Sequence, residues 1–140
     1  MYVQRALEIL RARGHRITQP RRAVLEALDR AGRAMSPYDL QRLLREEGRN
    51  LDHVTIYRTL ELLCSQNLAH RVTSLGGFVR CSLDKEDACH RYMVCRSCGT
   101  FSEFADEALC QKEEEAVKSY GFLAEQHVAE SLGLCADCRQ

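Results

Sequence analysis

The stretch Asp52–Leu83, DHVTIYRTLELLCSQNLAHRVTSLGGFVRCSL, decides the fold. Asp52 begins a helix in which Ile56, Leu60 and Leu63 mark a buried stripe at helical spacing. After Asn67 the period changes: Ala69–Thr73 and Phe78–Leu83 read as strands on either side of Leu75-Gly76-Gly77, a glycine turn suited to a hairpin. A helix followed at once by a two-stranded ribbon is the end of a winged helix, provided that short helices precede it. In that fold the last helix before the wing usually enters the major groove of DNA.

Upstream, the short helices are present. Ala6, Leu7 and Leu10 give an amphipathic stripe that stops near Gly14. Thr18 caps a second helix with Pro20 in its first turn, and Val24, Leu25 and Leu28 follow on one face. Ser36-Pro37 repeats the start signal, with Leu40, Leu43 and Leu44 closed by Gly48. Charge fits the same assignment. Residues 1–83 carry 14 Arg and no Lys against 8 acidic residues, a balance of +6, and exclusive use of arginine suits forked contacts to phosphate and guanine.

Downstream the balance reverses to −6 over residues 84–140, so a net charge of zero conceals two unlike halves. Asp84-Lys85-Glu86-Asp87 reads as a charged linker. His90–Val94 and Phe101–Phe104 read as short strands, Asp106 caps a helix to about Ser119, Gly121 ends it, and Phe122–Glu130 reads as a further strand. The expected organisation is α+β: a winged-helix domain over 1–83, a linker over 84–88 and a small α/β domain over 89–140.

Two C-x-x-C pairs, Cys95/Cys98 and Cys135/Cys138, each sit at a turn beside an expected strand. Four thiolates at that spacing favour a closed structural zinc site, and a domain of this size has little core, so metal binding would supply folding energy. A thioredoxin-like redox pair normally opens a helix within a βαβ unit, a context missing here. The 140 residues contain no apolar run near the roughly 18 residues of a membrane span and no secretory leader, which makes the cytoplasm the expected location and metal ligation the favoured use of 8 cysteines. With no nucleophile motif and no H-E-x-x-H pattern, enzyme activity is not expected.

The segments Gly14-His15-Arg16-Ile17-Thr18-Gln19-Pro20-Arg21 and His53-Val54-Thr55-Ile56-Tyr57-Arg58-Thr59-Leu60, with the two C-x-x-C pairs, resemble the ferric uptake regulator family of bacterial metal-dependent repressors. They run in the family's order over nearly the whole chain. The resemblance implies a homodimer, joined through the C-terminal α/β domain, that closes onto an AT-rich inverted repeat of double-stranded DNA when a regulatory metal binds. It places Thr55, Tyr57 and Arg58 on the recognition helix, with Arg16 and Arg21 as phosphate contacts. Without the family, Tyr57 reads equally well as a partly buried helix residue and Arg58 as a solvated charge.

Within the family pattern, the regulatory metal positions match His70, Cys81, His90 and Glu103. Taken singly, Cys81 also reads as an inert buried thiol, His70 as a surface residue and Glu103 as one more charge. Together, one thiolate, two imidazoles and one carboxylate suit four-coordinate zinc better than octahedral iron or manganese, and Ala34 stands in the region where iron and peroxide sensors usually carry a histidine. The zinc uptake regulator branch is the best match. A possible third metal site falls on Cys89, Cys110 and His127, although Cys110 also reads as helix packing and Arg91 stands where a ligand is often found. Cys64 reads as packing. The rival readings are an iron- or peroxide-responsive member of the family and a zinc-stapled thiol redox sensor using Cys89 or Cys110. No membrane and no small organic substrate are expected among its partners.

Overall fold

The computed structural model describes residues 1–81, 89–125 and 127–140. The chain divides into two compact units, Met1–Ser82 and Leu83–Gln140. The expected linker at 84–88 and the last two residues of the second wing strand lie outside the described residues.

The first unit is a winged helix: α1 (Tyr2–Ala12), α2 (Gln19–Ala31), α3 (Pro37–Glu46), α4 (His53–Ser65), β1 (Ala69–Val72) and β2 (Gly77–Arg80). Side-chain caps set three of the helix starts. Thr18 accepts from the Arg21 amide and Asp52 from the Thr55 amide, while Ser36 and Asp39 form a reciprocal capping box. Exit from α4 runs through Asn67 at φ 58, a left-handed conformation that asparagine tolerates. One continuous core joins Leu7 and Leu10 of α1, Val24, Leu25 and Leu28 of α2, Leu40 and Leu44 of α3, and Ile56, Leu60 and Leu63 of α4. Cys64 packs against this core, as the sequence suggested, and burial pushes its thiol up to about 11.

The wing differs from expectation in detail. Its turn is a 3-10 turn over Thr73–Leu75 that closes at Gly76, β2 starts at Gly77, not Phe78, and ends at Arg80, and the next residue, Cys81, donates its amide to the Leu68 carbonyl. A long-range contact sets that start. Met35 and Phe78 exchange both backbone hydrogen bonds, at 2.9 and 2.8 Å, adding a third strand-like residue to the ribbon. A Cβ on Gly77 would lie 2.9 Å from the Met35 amide nitrogen, so the close approach requires glycine.

The second unit contains β3 (Cys89–Cys95), β4 (Phe101–Phe104), α5 (Glu107–Lys118) and β5 (His127–Gly133) in a sheet of order β4-β3-β5. β3 runs antiparallel to β4 and parallel to β5, with Cys89 opposite His127 and Cys95 opposite Gly133. Asp106 caps α5 by accepting from the Leu109 amide. The expected strand Phe122–Glu130 is shifted: Phe122 and Leu123 are exposed outside any strand, and the pairing with β3 carries β5 on to Gly133. Apolar side chains there imitated a buried strand, but the sheet takes the residues that follow.

Candidate metal centres and nucleic-acid interface

Four cysteines of the second unit converge at one end of its sheet. Cys95 closes β3 and accepts the Gly99 amide at 3.0 Å, which wraps Cys98 back beside it. The Arg96 amide donates to Gly133 at 2.9 Å, joining this turn to the end of β5, while Cys138 and Arg139 both donate to the Cys135 carbonyl at 3.1 Å. The four sulfurs lie within 4.8 Å of one another, and Cys98 and Cys135 are 3.8 Å apart. A tetrahedron with zinc–sulfur bonds of about 2.3 Å has an edge of about 3.8 Å, so the donor set fits zinc. Electrostatics within the cluster are divided. Backbone amides of Cys135 and Cys98 aimed at Cys95 hold its thiol down to about 6, and its neighbour Cys138, next to the Cys135 sulfur, is held up to about 12.

The remaining expected ligands occur as pairs. In the first unit, His70 on β1 and Cys81 just after β2 are both buried, with donor atoms within 4.8 Å. The Cys81 amide donates to the Leu68 carbonyl at 3.0 Å, and this bond sets the two residues side by side at the base of the wing. In the second unit, His90 Nδ1 lies 3.1 Å from Glu103 Oε1, and both side chains are only 1% exposed. β4 brings them together, because Glu103 stands opposite Tyr92 and therefore on the face that His90 shares.

The other face of β3 carries different chemistry. Cys89 and Arg91 alternate away from His90 and meet α5: Arg91 pairs with Glu113, and Cys89 forms a disulfide with Cys110. These are the positions of the expected third metal site. Cys89, Cys110 and His127 do come together, but the first two share a covalent bond, and a disulfide sulfur lacks the thiolate charge that ligates zinc. His127 Nδ1 instead lies 3.4 Å from the Glu113 carboxylate.

On the expected DNA-reading helix, Ile56, Thr59, Leu60 and Leu63 face the core. Val54, Tyr57 and Arg58 are exposed on the opposite side, and Thr55 is half-buried with its carbonyl accepting the Thr59 hydroxyl at 2.8 Å. Arg16 is exposed ahead of α2, and Arg21 reaches its carbonyl at 2.6 Å, so both arginines sit at the amino end of that helix. Two neighbours were missed in the sequence. Arg71 of the wing donates to the Tyr57 hydroxyl at 3.4 Å, and exposed Tyr38 stacks on His53 at the start of α4, ring centroids 4.2 Å apart. The available signal for Tyr38 was an aromatic in the first turn after Ser36-Pro37, where the first exposed positions of α3 fall.

The model of the ferric uptake regulator family matches residues 12–131. The zinc uptake regulation protein of Mycobacterium tuberculosis is 33% identical over 131 residues, spanning 91% of this chain and 98% of that protein. That of Escherichia coli is 33% identical over 134 residues, spanning 95% and 78% respectively. A solved zinc uptake regulator complexed with zinc and DNA is similar at a TM-score of 0.88 and 32% identity, covering 98% of this chain and 92% of that one.

Proposed function

This chain belongs to the ferric uptake regulator family, and we propose that it is a zinc-responsive transcriptional regulator, mainly a repressor, binding operator DNA as a metal-loaded homodimer to control metal uptake and homeostasis genes in the cytoplasm. Its likeness to zinc uptake regulators, one of them solved with zinc and DNA, supports the reading. The observation that carries the choice of metal is the thiol of Cys81 beside His70, since a sulfur donor favours zinc over the hard, oxygen-preferring metals.

In this scheme Cys95, Cys98, Cys135 and Cys138 hold a structural zinc that does not sense. His70 and Cys81 from the wing, with His90 and Glu103 from the sheet, are the regulatory ligands. Zinc supplies a positive centre that thiolate, imidazole and carboxylate donors can share. Residues at the base of the wing thereby become coupled to the second unit, which narrows the orientations open to the two recognition helices of a dimer. Such a coupling is worth about 1–3 kcal/mol, or about 5–150-fold in operator affinity.

Thr55, Tyr57 and Arg58 would read base edges of an AT-rich inverted repeat, with Arg58 reaching guanine or phosphate and Tyr57 a thymine methyl, while Arg16 and Arg21 hold the backbone. Homodimerisation draws support from α5, which buries no residue in the single chain, and from exposed Leu109, Val128 and Leu132 on α5 and β5. The test is an operator titration of the full chain at buffered free zinc, iron and manganese. Tightening with zinc is expected; a response to iron with none to zinc would overturn the assignment.

A further inference from the structure

The Cys89–Cys110 bond stands apart from the other cysteine chemistry of the second unit. In the four-cysteine cluster the Cys98 and Cys135 sulfurs rest 3.8 Å apart, as metal ligands do, whereas Cys89 and Cys110 are joined, with Cα atoms 6.3 Å apart and 21 residues between them in sequence. Both residues are half-buried in the single chain and so keep some surface open to solvent. The bond also occupies a sensitive place. In the single chain α5 buries none of its residues, and among the described residues three attachments tie it to the sheet at one point: the disulfide itself, the Arg91–Glu113 ion pair and His127 beside Glu113. Within a single chain, helix packing that depends so little on apolar burial leaves a covalent tether with a large share of the attachment of α5 to its own sheet, whatever a second copy adds on the outer face.

We propose that Cys89 and Cys110 form a redox modification site, a reversible disulfide that exchanges with low-molecular-weight thiols and governs how firmly α5 is held on β3. A thiolate of the small thiol attacks one sulfur of the pair, forming a mixed disulfide and expelling the other cysteine as a thiolate. A second small thiol attacks the mixed disulfide and releases the symmetrical small disulfide. Two small thiols are oxidised, the protein disulfide is reduced to two cysteine thiols, and the released thiolates take up the two protons. Oxidation is the reverse exchange with the small-molecule disulfide. Accessible disulfides in a reducing compartment are the exchangeable kind, whereas structural ones resist such reduction.

The zinc-loaded full chain, equilibrated over a series of reduced-to-oxidised glutathione ratios and then alkylated, tests this by peptide mass spectrometry with amide hydrogen exchange on the same samples. The expected result is joint appearance of two labels, on Cys89 and Cys110, across one transition, with the zinc content unchanged and exchange of α5 amides accelerated about tenfold or more. Labelling of both residues at every ratio, or of neither even in excess reduced glutathione, would overturn it. Cys110→Ser should show fast α5 exchange at all ratios; a redox-dependent change of wild-type size in that variant would assign the effect to other cysteines and overturn it equally. None of these readouts uses DNA, so a failed zinc response at the operator leaves the result interpretable.

Discussion

The two units solve the problem of holding a fold in opposite ways. Among the described residues the continuous hydrophobic core runs from Tyr2 to Phe78, and four helices and the wing share it. Among the described residues of the second unit the buried apolar ones are Tyr92, Val94 and Cys95, next to buried His90 and Arg91. Sulfur and charge do there what leucine does in the first unit: a four-cysteine cluster at one end of the sheet, a disulfide and an ion pair at the other. The contrast teaches that the first unit is held by an apolar core of its own, while the second leans on sulfur and charge.

Removing the cluster's metal should break this contrast most visibly. Structural zinc contributes about 10–16 kcal/mol of apparent binding free energy to domains it folds. Strong chelation, or Cys98→Ser, is expected to abolish slow amide exchange in β3, β4 and β5 while α2 and α4 stay protected; equal loss in both units would contradict it. Leu60→Ala attacks the other side, opening a cavity in the first core at a cost of about 2–5 kcal/mol. Denaturant melting should register that loss with zinc content unaltered. Arg58→Ala, on the exposed face of α4, should leave both units folded and weaken operator binding by about 1–3 kcal/mol, measured by fluorescence anisotropy.

The smallest effect sharpens the local part of the comparison. Ser36→Ala removes one half of the capping box of α3 and should cost about 1 kcal/mol in thermal melting. Hydrogen bonding from the Ser36 amide holds the Asp39 carboxyl below its ordinary value of 3.8. The stability this adds is therefore present above about that pH and is lost as the pH falls through the depressed value, a loss that the Asp39→Asn variant should not show.

The first unit was the more legible in sequence because its signals are local. Thr18, Ser36 and Asp52 each announce a helix start within three residues of the amide they cap, and the leucine spacing marks the buried faces; in the second unit Asp106 alone gives such a signal among the described residues. What failed were features set by distant contacts. The start of β2 depends on Met35, over 40 positions upstream of Phe78, and the start of β5 on its register with Cys89. Phe122 and Leu123 look like strand residues because apolarity alone does not say whether anything covers them. The C-x-x-C spacing identified one cysteine cluster from the chain itself. No spacing rule distinguishes a thiolate ligand from a disulfide partner, so the sequence brings Cys89 and Cys110 together without saying whether a metal or a bond joins them. The regulatory positions His70, Cys81, His90 and Glu103 came from the family pattern, because residues on separate strands leave no local signature.

The most direct test of the zinc-responsive account pairs operator affinity with metal counting on the same sample, comparing the full chain with Cys81→Ser and His70→Ala at buffered free zinc. The account predicts two zinc ions per wild-type chain, one per variant chain, and a zinc response of the operator affinity that only the wild type shows. Variants that keep both ions, or that tighten on DNA with zinc as the wild type does, would contradict it.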